Sequence, residues 1–358
     1  MRFHREKEAG AIKRTTIKDI AASLGVSLST VNKALYGKSG ISEQRRTEVL
    51  AEAKKLGYQP NRAALSLARA RICIGVILPS DWPAYFEPIR GGIQRALTEL
   101  QDFFITGDIR YYDPEADAQD RVAQLFEALR ESCDALIFCP SERHSYHDAL
   151  QWADTQGFPV AIVGDARPDA PCLFAVETAA DRCAALAADL LTLITPQDTR
   201  LAVAGGFGDF APHIEKAAVF ERVSGRPVLR VFTQDNERFA YEKTLSCLRE
   251  NPDLTGIYIA TSAGEGICRA VRDSGLPVRV AATDLFPSLH EYIAEGIVQG
   301  VIYQNTYLQG ALAVLTLADY LTLRTLPPPV RRVQPRLFLR ENCPESFEAA
   351  ADDLILRG

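Results

Sequence analysis

Apolar residues recur at helical spacing in the first part of the chain. They lie at positions i, i+3, i+4 and i+7 in the segment that begins at Ile17 and ends at Leu24, which is the spacing of one face of an amphipathic helix. Thr16 precedes this segment, with Asp19 three residues later, in the arrangement of a helix N-cap. Gly25 follows, where a left-handed residue can end a helix. The pattern therefore predicts a short helix followed by a tight turn.

Two further helices are predicted after this turn. The second segment reads GVSLSTVNKAL and has its capping residue at Ser27, and a third begins at the capping residue Ser42 and ends at Gly57. The residues expected to face inward from these two helices are Val31, Ala34, Leu35, Val49, Leu50, Ala53 and Leu56. The first two helices, joined at Gly25, have the spacing of a helix-turn-helix. The pattern predicts a small all-α domain over residues 15–59, which we call the head.

The polar residues of the second helix fall on the face opposite its apolar one. If the apolar face is buried, the residues that project outward are Leu28, Ser29, Asn32 and Lys33. Serine, asparagine and lysine can bond to base edges or phosphates, and leucine can contact a thymine methyl group. This face predicts a helix that enters a DNA groove. The alternative is an ordinary small helical bundle.

Charge is distributed unevenly along the chain. Residues 1–71 contain 15 lysines and arginines against 6 aspartates and glutamates, a net of +9, whereas the whole chain has a net charge of -6. The rest of the chain therefore has a net charge of -15. A basic segment on an acidic remainder indicates that the basic part meets a polyanion. A basic, solvated tail is the alternative interpretation.

The segment from TIKDIAASLG to LGYQPN, residues 16–61, resembles without a gap the DNA-binding domain of the lactose/galactose repressor (LacI/GalR) family. The resemblance implies that operator DNA is contacted by Thr16, Ser27, Leu28, Ser29, Thr30, Asn32, Lys33 and Asn61, with Leu28 and Ser29 setting specificity. Family members often have Ser-Arg where this chain has Asn32 and Lys33. Lysine is a point charge rather than a bidentate fork, so the base that Lys33 reads stays open.

The next segment reads PNRAALSLARARI and resembles the hinge helix of the same family, over residues 60–71. It is too short to be stable alone, so we expect it to fold only on DNA or against a partner copy. The resemblance implies that Leu67 wedges into the minor groove, with Ala64 one turn before it. The alternative is a plain linker in which Leu67 only packs. Residues 1–14 have no counterpart in the family pattern and are predicted to form a loose basic tail.

From Ile72 onward, short apolar strands alternate with amphipathic helices. This alternation predicts an α/β domain of parallel sheets with helices on both faces. About ten strands are more than one such sheet usually holds, so two lobes are predicted. Residues 72–345, which we call the body, resemble the periplasmic-binding-protein-like sensor of the same family, in which two doubly wound lobes close on a small ligand. The resemblance places the chain crossings between lobes near Pro171, Gln304 and Arg331.

Candidate ligand-binding residues follow the predicted strands. Those chosen for aromatic or polar side chains at strand ends are Asp81, Trp82, Tyr85, Phe86, Ser141 and Glu142. Those that the resemblance implies are Lys216, Thr261, Asp284 and Gln304, with Asp284 the strongest. Each could instead be a satisfied surface or hinge group. The ligand implied is a sugar or sugar derivative.

Lys216 departs from the family pattern, which commonly has a ligand-binding arginine at this position. His213 lies one helical turn before it. A lysine and a histidine on adjacent turns differ from the commonest sugar-binding pattern. They leave a phosphorylated or acidic ligand open.

The case for an enzyme is weak. Gly206, Gly208 and Ala211 partly satisfy a dinucleotide-binding pattern, but Pro212 follows at once and no acidic residue lies about 20 positions later. GxxxxGK[ST] and GxSxG motifs are absent from the sequence. His144 and His147 have no third ligand at a sensible spacing for zinc. We therefore expect no catalysis, cofactor or metal; the alternative is a nucleotide-dependent α/β enzyme fused to a DNA-binding head.

Composition completes the expectations. The sequence has no run of 18 apolar residues, its first residues lack the apolar core of a secretory signal, and its eight cysteines are scattered without a CxxC pair. These features predict a cytoplasmic protein, associated with the nucleoid, without a membrane partner. Residues 346–358 form a tail without an apolar heptad repeat. A homodimer is expected rather than a tetramer, because a pseudo-palindromic operator needs two heads.

Overall fold

The computed structural model describes residues 15–35, 39–58, 71–80, 83–115, 118–141, 145–164 and 170–345. Several predictions fall on other residues. The basic tail, the hinge segment and the C-terminal tail lie outside the described residues, apart from residue 71. The same holds for the candidate contacts Asn61, Ala64, Leu67, Asp81, Trp82 and Glu142.

Three helices form the head, as predicted: α1 (Ile17–Leu24), α2 (Leu28–Leu35) and α3 (Glu43–Lys55). The predicted caps are present. Asp19 Oδ2 accepts from both the amide and the hydroxyl of Thr16 at 2.7 Å, and Ser42 Oγ accepts from the Arg45 amide at 3.3 Å. Gly25 ends α1 with φ 62°, a left-handed conformation that suits glycine.

The core of the head is small and formed by one face of each helix. Its buried residues are Ile20, Ala21, Val31, Ala34, Val49 and Ala53. The prediction that Leu50 faces inward is wrong, because its side chain is 45% exposed. Val49, Ala53 and Leu56 repeat at i, i+4 and i+7 and so occupy the inner face, and Leu50 lies about 100° further round the helix.

The body alternates strands and helices. In chain order its described elements are β1 (Ile72–Pro79), α4 (Pro83–Leu100), β2 (Ile105–Tyr112), α5 (Ala118–Ser132), β3 (Ala135–Phe138), α6 (His147–Thr155), β4 (Val160–Val163), β5 (Phe174–Thr178), α7 (Ala180–Ile194), β6 (Arg200–Gly205), α8 (Ala211–Ser224), β7 (Val228–Phe232), α9 (Glu237–Glu250), β8 (Leu254–Ala260), α10 (Gly264–Ser274), β9 (Arg279–Thr283), α11 (His290–Ala294), β10 (Val298–Tyr303), α12 (Thr306–Leu323), β11 (Val330–Val333) and β12 (Arg336–Phe338). Short 3₁₀ helices lie at Gln101–Phe103, Pro287–Leu289 and Arg340–Asn342.

The strands form two six-stranded sheets. The sheet of lobe 1 has the order β11-β5-β4-β3-β1-β2 and is wholly parallel. The sheet of lobe 2 has the order β12-β10-β9-β8-β6-β7, and only β12 is antiparallel to its neighbour. Both are doubly wound, so the predicted two-lobed α/β fold is confirmed. In such sheets, ligands bind outside the carboxyl ends of the strands.

The chain crosses between lobes three times. The crossing after β10, at Gln304, is where it was predicted. The first crossing follows Thr178, not Pro171, because the segment FAVET forms β5 of lobe 1 before the chain leaves that lobe. The third follows Val333, two residues after Arg331, near which it was predicted. The first crossing was displaced because β5 was not predicted as a strand.

The lobes have extensive apolar interiors. One cluster fills lobe 1 around Phe126 and Phe138, and two clusters lie in lobe 2, one of them around Phe220 and Tyr258. Helices α4 and α12 pack so closely that a Cβ added at Gly92 would lie 1.9 Å from the Tyr307 carbonyl oxygen. No helix in the described ranges is long and apolar enough to cross a membrane.

Candidate DNA-binding surface and effector site

The outer face of α2 has the exposure that the sequence predicts. Leu28 is 41% exposed, Ser29 is exposed, and Asn32 and Lys33 are partly exposed, whereas Val31 is buried. Leu28 lies at the start of α2, and much of its apolar side chain is accessible to solvent. The polar and apolar groups of this face are therefore available to a partner.

The first turn of α2 is held by two hydroxyls. Ser27 Oγ accepts from the Thr30 amide at 3.1 Å, and the Ser27 and Thr30 hydroxyl oxygens lie 2.9 Å apart. Thr16 is exposed at the start of α1. The hydroxyls of Thr16, Ser27 and Thr30 thus stabilise helix starts, and they lie in exposed or partly exposed positions.

The last turn of α2 is held by Arg46, which the sequence reasoning missed. Arg46 Nη1 donates to the carbonyl oxygens of Lys33 and Ala34 at 3.1 and 3.4 Å, and its Nε donates to Glu43 at 3.2 Å. The last carbonyls of a helix generally lack a partner within it, so a cation that bonds to them stabilises the helix end. In the sequence, Arg46 is one of two adjacent arginines, and nothing in its spacing indicates this contact. Its role follows from the packing of α3 against α2.

In lobe 2, three predicted residues come together. Lys216, on α8, donates to Gln304 Oε1 at 2.9 Å. The Gln304 side chain donates to Asp284 Oδ2 at 2.6 Å, and its backbone amide donates to Asp284 Oδ1 at 2.9 Å. We call these three residues the polar triad. They come from α8 and from the carboxyl ends of β9 and β10, where a doubly wound sheet places its ligand site.

The polar triad is deeply buried, with Lys216 only 4% exposed. Burying an ammonium or a carboxylate is costly unless hydrogen bonds and an opposite charge compensate. Here the amide of Gln304 accepts from the ammonium and donates to the carboxylate, so it links the two charges. The triad offers donors and acceptors side by side, the combination that ligand hydroxyls need.

Backbone geometry turns Asp284 toward β10. Its φ is 67°, a left-handed conformation that is uncommon for residues other than glycine, although aspartate tolerates it better than most. The next crossing residue, Asn305, is also left-handed, with φ 57°. Unusual backbone at adjacent strand ends is typical of functional sites. It places both side chains at the second crossing.

Two buried amides beside the polar triad have unpaired oxygens. Gln309 is fully buried, and its Nε2 donates to Thr178 Oγ1 at 2.8 Å and to the Gln304 carbonyl at 3.3 Å. Within the described part of the chain, Gln309 Oε1 and Asn305 Oδ1 have no hydrogen-bond partner. Buried polar groups are rarely left without a hydrogen-bond partner. These oxygens can accept from a ligand hydroxyl or a water. The only sequence signal is a pair of polar residues near the start of an apolar helix.

Thr261 lies at the end of β8 but its hydroxyl is already used. It donates to Asp235 Oδ1, which also accepts from the amide and hydroxyl of Ser262 at 3.0 and 2.9 Å. Thr233 Oγ1 lies 2.9 Å from the Thr261 hydroxyl oxygen. The carboxylate at this edge is therefore that of Asp235, which was not among the predicted ligand-binding residues.

Asp235 also explains a glycine in the segment VAGGFGDFA. A Cβ at Gly206 would lie 2.2 Å from Asp235 Oδ2, so a larger residue there would displace this carboxylate. The following turn is closed by His213, whose Nδ1 accepts from the Phe207 amide at 3.2 Å. The glycine pattern thus has a local packing reason. It does not need a bound dinucleotide.

In lobe 1, two predicted residues lie at the carboxyl ends of the strands. Tyr85 is partly buried at the start of α4, and its hydroxyl would lie 3.9 Å from a Cβ at Gly164, after β4. Phe86 is buried and packs edge to face with Tyr85 at 5.0 Å between ring centroids. Of the two rings, Tyr85 is the more accessible.

Ser141 is buried within a tyrosine network at the end of β3. Its amide donates to the Tyr112 hydroxyl at 2.7 Å, and its hydroxyl lies 2.7 Å from that of Tyr146. Tyr112 donates to the Cys139 carbonyl at 3.1 Å. Burial raises the pKa of Tyr112 well above its ordinary value, so this phenol stays neutral. The Ser141 hydroxyl is occupied by this network.

Two family models match the chain. Residues 74–325 match the periplasmic binding protein domain, and residues 16–61 match the lacI family of bacterial regulatory proteins. The first match covers well over half of the chain. The second coincides with the described head and the start of the hinge segment.

Curated relatives are named as regulators. Catabolite control protein B of Bacillus subtilis (strain 168) is 33% identical over 44% of this chain and 49% of its own length. The HTH-type transcriptional regulator GntR of Escherichia coli (strain K12) is 32% identical over 45% of this chain and 46% of its own length. The chain thus spans about half the length of the curated relatives it matches.

The body has a known fold. A periplasmic solute-binding protein of an ABC transporter from Actinobacillus succinogenes 130z, solved with bound D-allose, has a TM-score of 0.67 and 21% sequence identity. The match covers 76% of this chain and 99% of that one. At 21% sequence identity, the similarity between this chain and the solute-binding protein concerns the fold alone.

Proposed function

The chain belongs to the periplasmic binding protein domain family and has a lacI-family regulatory domain in its N-terminal part, and on this premise we propose that it is a sequence-specific DNA-binding transcription regulator. Its affinity for operator DNA is controlled by a small ligand, a sugar or sugar derivative, bound between the lobes. One observation carries the proposal. A helix with an exposed mixed face lies in the same chain as a buried polar triad at the strand ends of a binding-protein fold.

We propose that α2 reads the operator. Leu28 and Ser29 contact base edges, and Asn32 and Lys33 contact bases or phosphates. The other proposed DNA contacts are Thr16, Ser27, Thr30, Asn61, Ala64 and Leu67. The exposure of the α2 face supports this assignment, as does the excess of basic residues over residues 1–71.

The polar triad favours a neutral ligand rich in hydroxyls. The charges of Lys216 and Asp284 are already linked through Gln304, so a neutral ligand can exchange hydrogen bonds without leaving either charge uncompensated. An anionic ligand would meet the Asp284 carboxylate. The relative solved with D-allose fits this choice. We propose a further ligand contact from Tyr85. The other predicted contacts are Asp81, Trp82, Phe86, Ser141, Glu142 and Thr261, of which Ser141 and Thr261 would have to exchange the hydrogen bonds that their hydroxyls make in this structure.

The regulator is proposed to act as a homodimer and as a repressor, without a cofactor. Two heads related by a two-fold axis match a pseudo-palindromic operator, and one head alone makes too few contacts for strong specific binding. We propose that the body senses its ligand and does not convert it. Chemical conversion of the bound sugar, when the purified protein is incubated with it, would contradict this part of the proposal.

Two experiments on the full chain test the function. Selection from randomised DNA should yield a two-fold symmetric consensus, and affinity for it should fall steeply as salt rises, because phosphate contacts release counterions. A thermal-shift screen of neutral pentoses, hexoses and polyols, alongside their phosphates and acids, should show stabilisation by neutral compounds. A lack of any consensus would contradict the DNA-binding function. Stabilisation only by phosphates or acids would contradict the ligand class.

A further inference from the structure

Two cysteines meet in lobe 1. Cys73 is the second residue of β1, and Cys133 directly follows α5. Their sulfur atoms lie 3.1 Å apart. A disulfide bond is about 2.0 Å long, so the sulfurs need to approach by only about 1 Å to be joined.

The backbone on both sides of this pair is fixed. The Cys73 amide donates to Asp134 Oδ2 at 2.9 Å, and the Asp134 amide donates to the Cys73 carbonyl at 2.8 Å. The next residues, Ile74 and Ala135, are paired in the parallel sheet. This pairing aligns Cys73 with Asp134, the residue after Cys133, so Cys133 itself lies outside the paired strand β3. An approach of about 1 Å between the two sulfurs therefore does not require the pairing of β1 with β3 to break.

The two thiols differ in accessibility. Cys73 is partly exposed, whereas Cys133 is buried. Burial raises the pKa of the Cys133 thiol to about 12, so this sulfur is protonated at neutral pH. An oxidant from solution meets Cys73 first.

We propose that Cys73 and Cys133 are a redox pair that forms a reversible intramolecular disulfide when the folded protein meets a peroxide. The Cys73 sulfur attacks one peroxide oxygen, the O–O bond breaks, and a sulfenic acid and water form. The Cys133 sulfur then attacks the Cys73 sulfur. The S–S bond forms as the S–O bond breaks, and the departing hydroxide leaves as water with the proton of Cys133. A dithiol reductant reverses the reaction by thiol–disulfide exchange.

The bond would join the first strand of the body to the end of α5. It closes a loop over residues 73–133, which restricts the unfolded chain and so raises the unfolding temperature. For a domain of this size we expect a rise of roughly 5 °C. The inference rests on lobe 1 alone and does not depend on the proposed regulatory function.

The test uses the full chain in its folded state. The protein is treated with hydrogen peroxide, free thiols are blocked with iodoacetamide, and peptides are mapped by mass spectrometry without reduction. We expect a peptide pair linking Cys73 to Cys133, the loss of two of eight free thiols, a higher unfolding temperature, and reversal of all three by dithiothreitol. Alkylation of both thiols after peroxide treatment would overturn the proposal. So would stable over-oxidation of Cys73 without a linked peptide.

Variants separate this pair from general oxidation. After peroxide treatment, the Cys73→Ser variant should retain all of its seven remaining free thiols. Its unfolding temperature should not rise. Cys343→Ser, at a half-buried cysteine in lobe 2, should form the linked peptide as the unaltered chain does. A linked peptide that involves another cysteine in its place would contradict the assignment. Since the mapping is done on the unaltered chain, a variant that folds poorly does not decide the result.

Discussion

Gln304 is the residue that connects the two charges of the proposed effector site. It accepts one hydrogen bond from Lys216 and donates two to Asp284. A ligand that bonds to either charged group competes with this glutamine. Because Gln304 also lies at the second crossing between lobes, a change in its hydrogen bonds acts where the chain passes from one lobe to the other. This coupling gives a physical route from ligand binding to lobe arrangement.

Replacing Asp284 by alanine should remove most of the effector response at sugar concentrations near the Kd of the unaltered chain, and it should leave operator binding by the free protein near normal. The lost acceptor is charged and bonds a buried ligand, so we expect a loss of about 1.5–3 kcal/mol, at least roughly tenfold in affinity. Calorimetry with the sugar found in the screen measures it. Asp253→Ala is the matched control, since Asp253 precedes β8 at the opposite end of the same sheet. A folded Asp284 variant with unchanged ligand affinity removes this residue from the site.

A substitution at Leu28 tests the role of a single residue in DNA recognition. Leu28→Ala should shift the selected operator consensus and weaken binding to the original one by roughly 1–3 kcal/mol, the usual value of a good base contact. Leu50→Ala is the control, because Leu50 is a similarly exposed leucine on α3. Both variants are compared by selection from randomised DNA. An identical consensus for Leu28→Ala and the unaltered chain would count against a role in base reading.

Some residues could be assigned from the sequence and others could not. The helix caps of the head follow from short-range chemistry, so Thr16, Ser27 and Ser42 were identified correctly. Asp235 was missed as a ligand-site candidate because its partners, Thr261 and Ser262, are distant in sequence. Arg46 was missed for the same reason. The spacing of residues in the sequence predicts contacts within one turn of a helix. Contacts between different helices and strands can be identified only when the fold is known.

At the scale of elements, the packing of α4 on α12 is the most demanding feature of lobe 1. Gly92 faces the Tyr307 carbonyl, and a Cβ at Gly310 would lie 2.1 Å from the Ile89 carbonyl oxygen. Two glycines on facing helices allow their backbones to touch. Helix α12 begins directly after the second crossing, so its position is set both by this contact and by the residues around Gln304.

Gly92→Ala should force the two helices apart and lower the free energy of unfolding by about 1–3 kcal/mol, the usual cost of overpacking. Denaturant unfolding of the full chain measures it. Gly208→Ala is the control, because the atoms nearest to an added Cβ there belong to the Phe232 ring, at 3.4 Å or more. Equal stability of the Gly92 variant and the control would show that the helices have room to separate.

Two strands of lobe 1 were not predicted from the sequence. β5 and β11 have five and four residues, contain charged side chains and lie beside each other at the edge of the sheet of lobe 1. Neither has a long apolar run, so only pairing identifies them as strands. The omission of β5 displaced the first crossing. The longer buried strands, such as β1 and β8, could be identified because burial on both faces makes them continuously apolar.

Over the whole chain, the separation of charge accompanies the separation of roles. The segment with a net charge of +9 contains the proposed DNA contacts, and the acidic remainder contains the proposed sensor. Like charge keeps the sensor away from phosphates while the basic segment is attracted to them. The hinge segment lies between the two in the sequence, and the family resemblance implies that its Leu67 is a wedge residue.

Leu67→Ala should weaken binding to the selected operator and spare binding to random DNA. A wedge stabilises only DNA that is kinked, and unstacking a step costs a few kcal/mol that the inserted side chain offsets. Both affinities are measured side by side by fluorescence anisotropy at one salt concentration. Leu56→Ala is unsuitable as a control because it packs in the head, so Leu50→Ala is used. Equal losses on both DNAs would mean that Leu67 only packs.

The most direct test of the account is the affinity of the full chain for its selected operator with and without the neutral sugar that stabilises it. A ligand shifts a two-state protein only by its differential affinity for the two states. We predict that saturating sugar changes the operator Kd at least roughly tenfold, a coupling of about 1.4 kcal/mol, and that Asp284→Ala needs at least roughly tenfold more sugar to reach the same change. An operator Kd that is the same with and without a sugar shown by calorimetry to be bound would contradict the account.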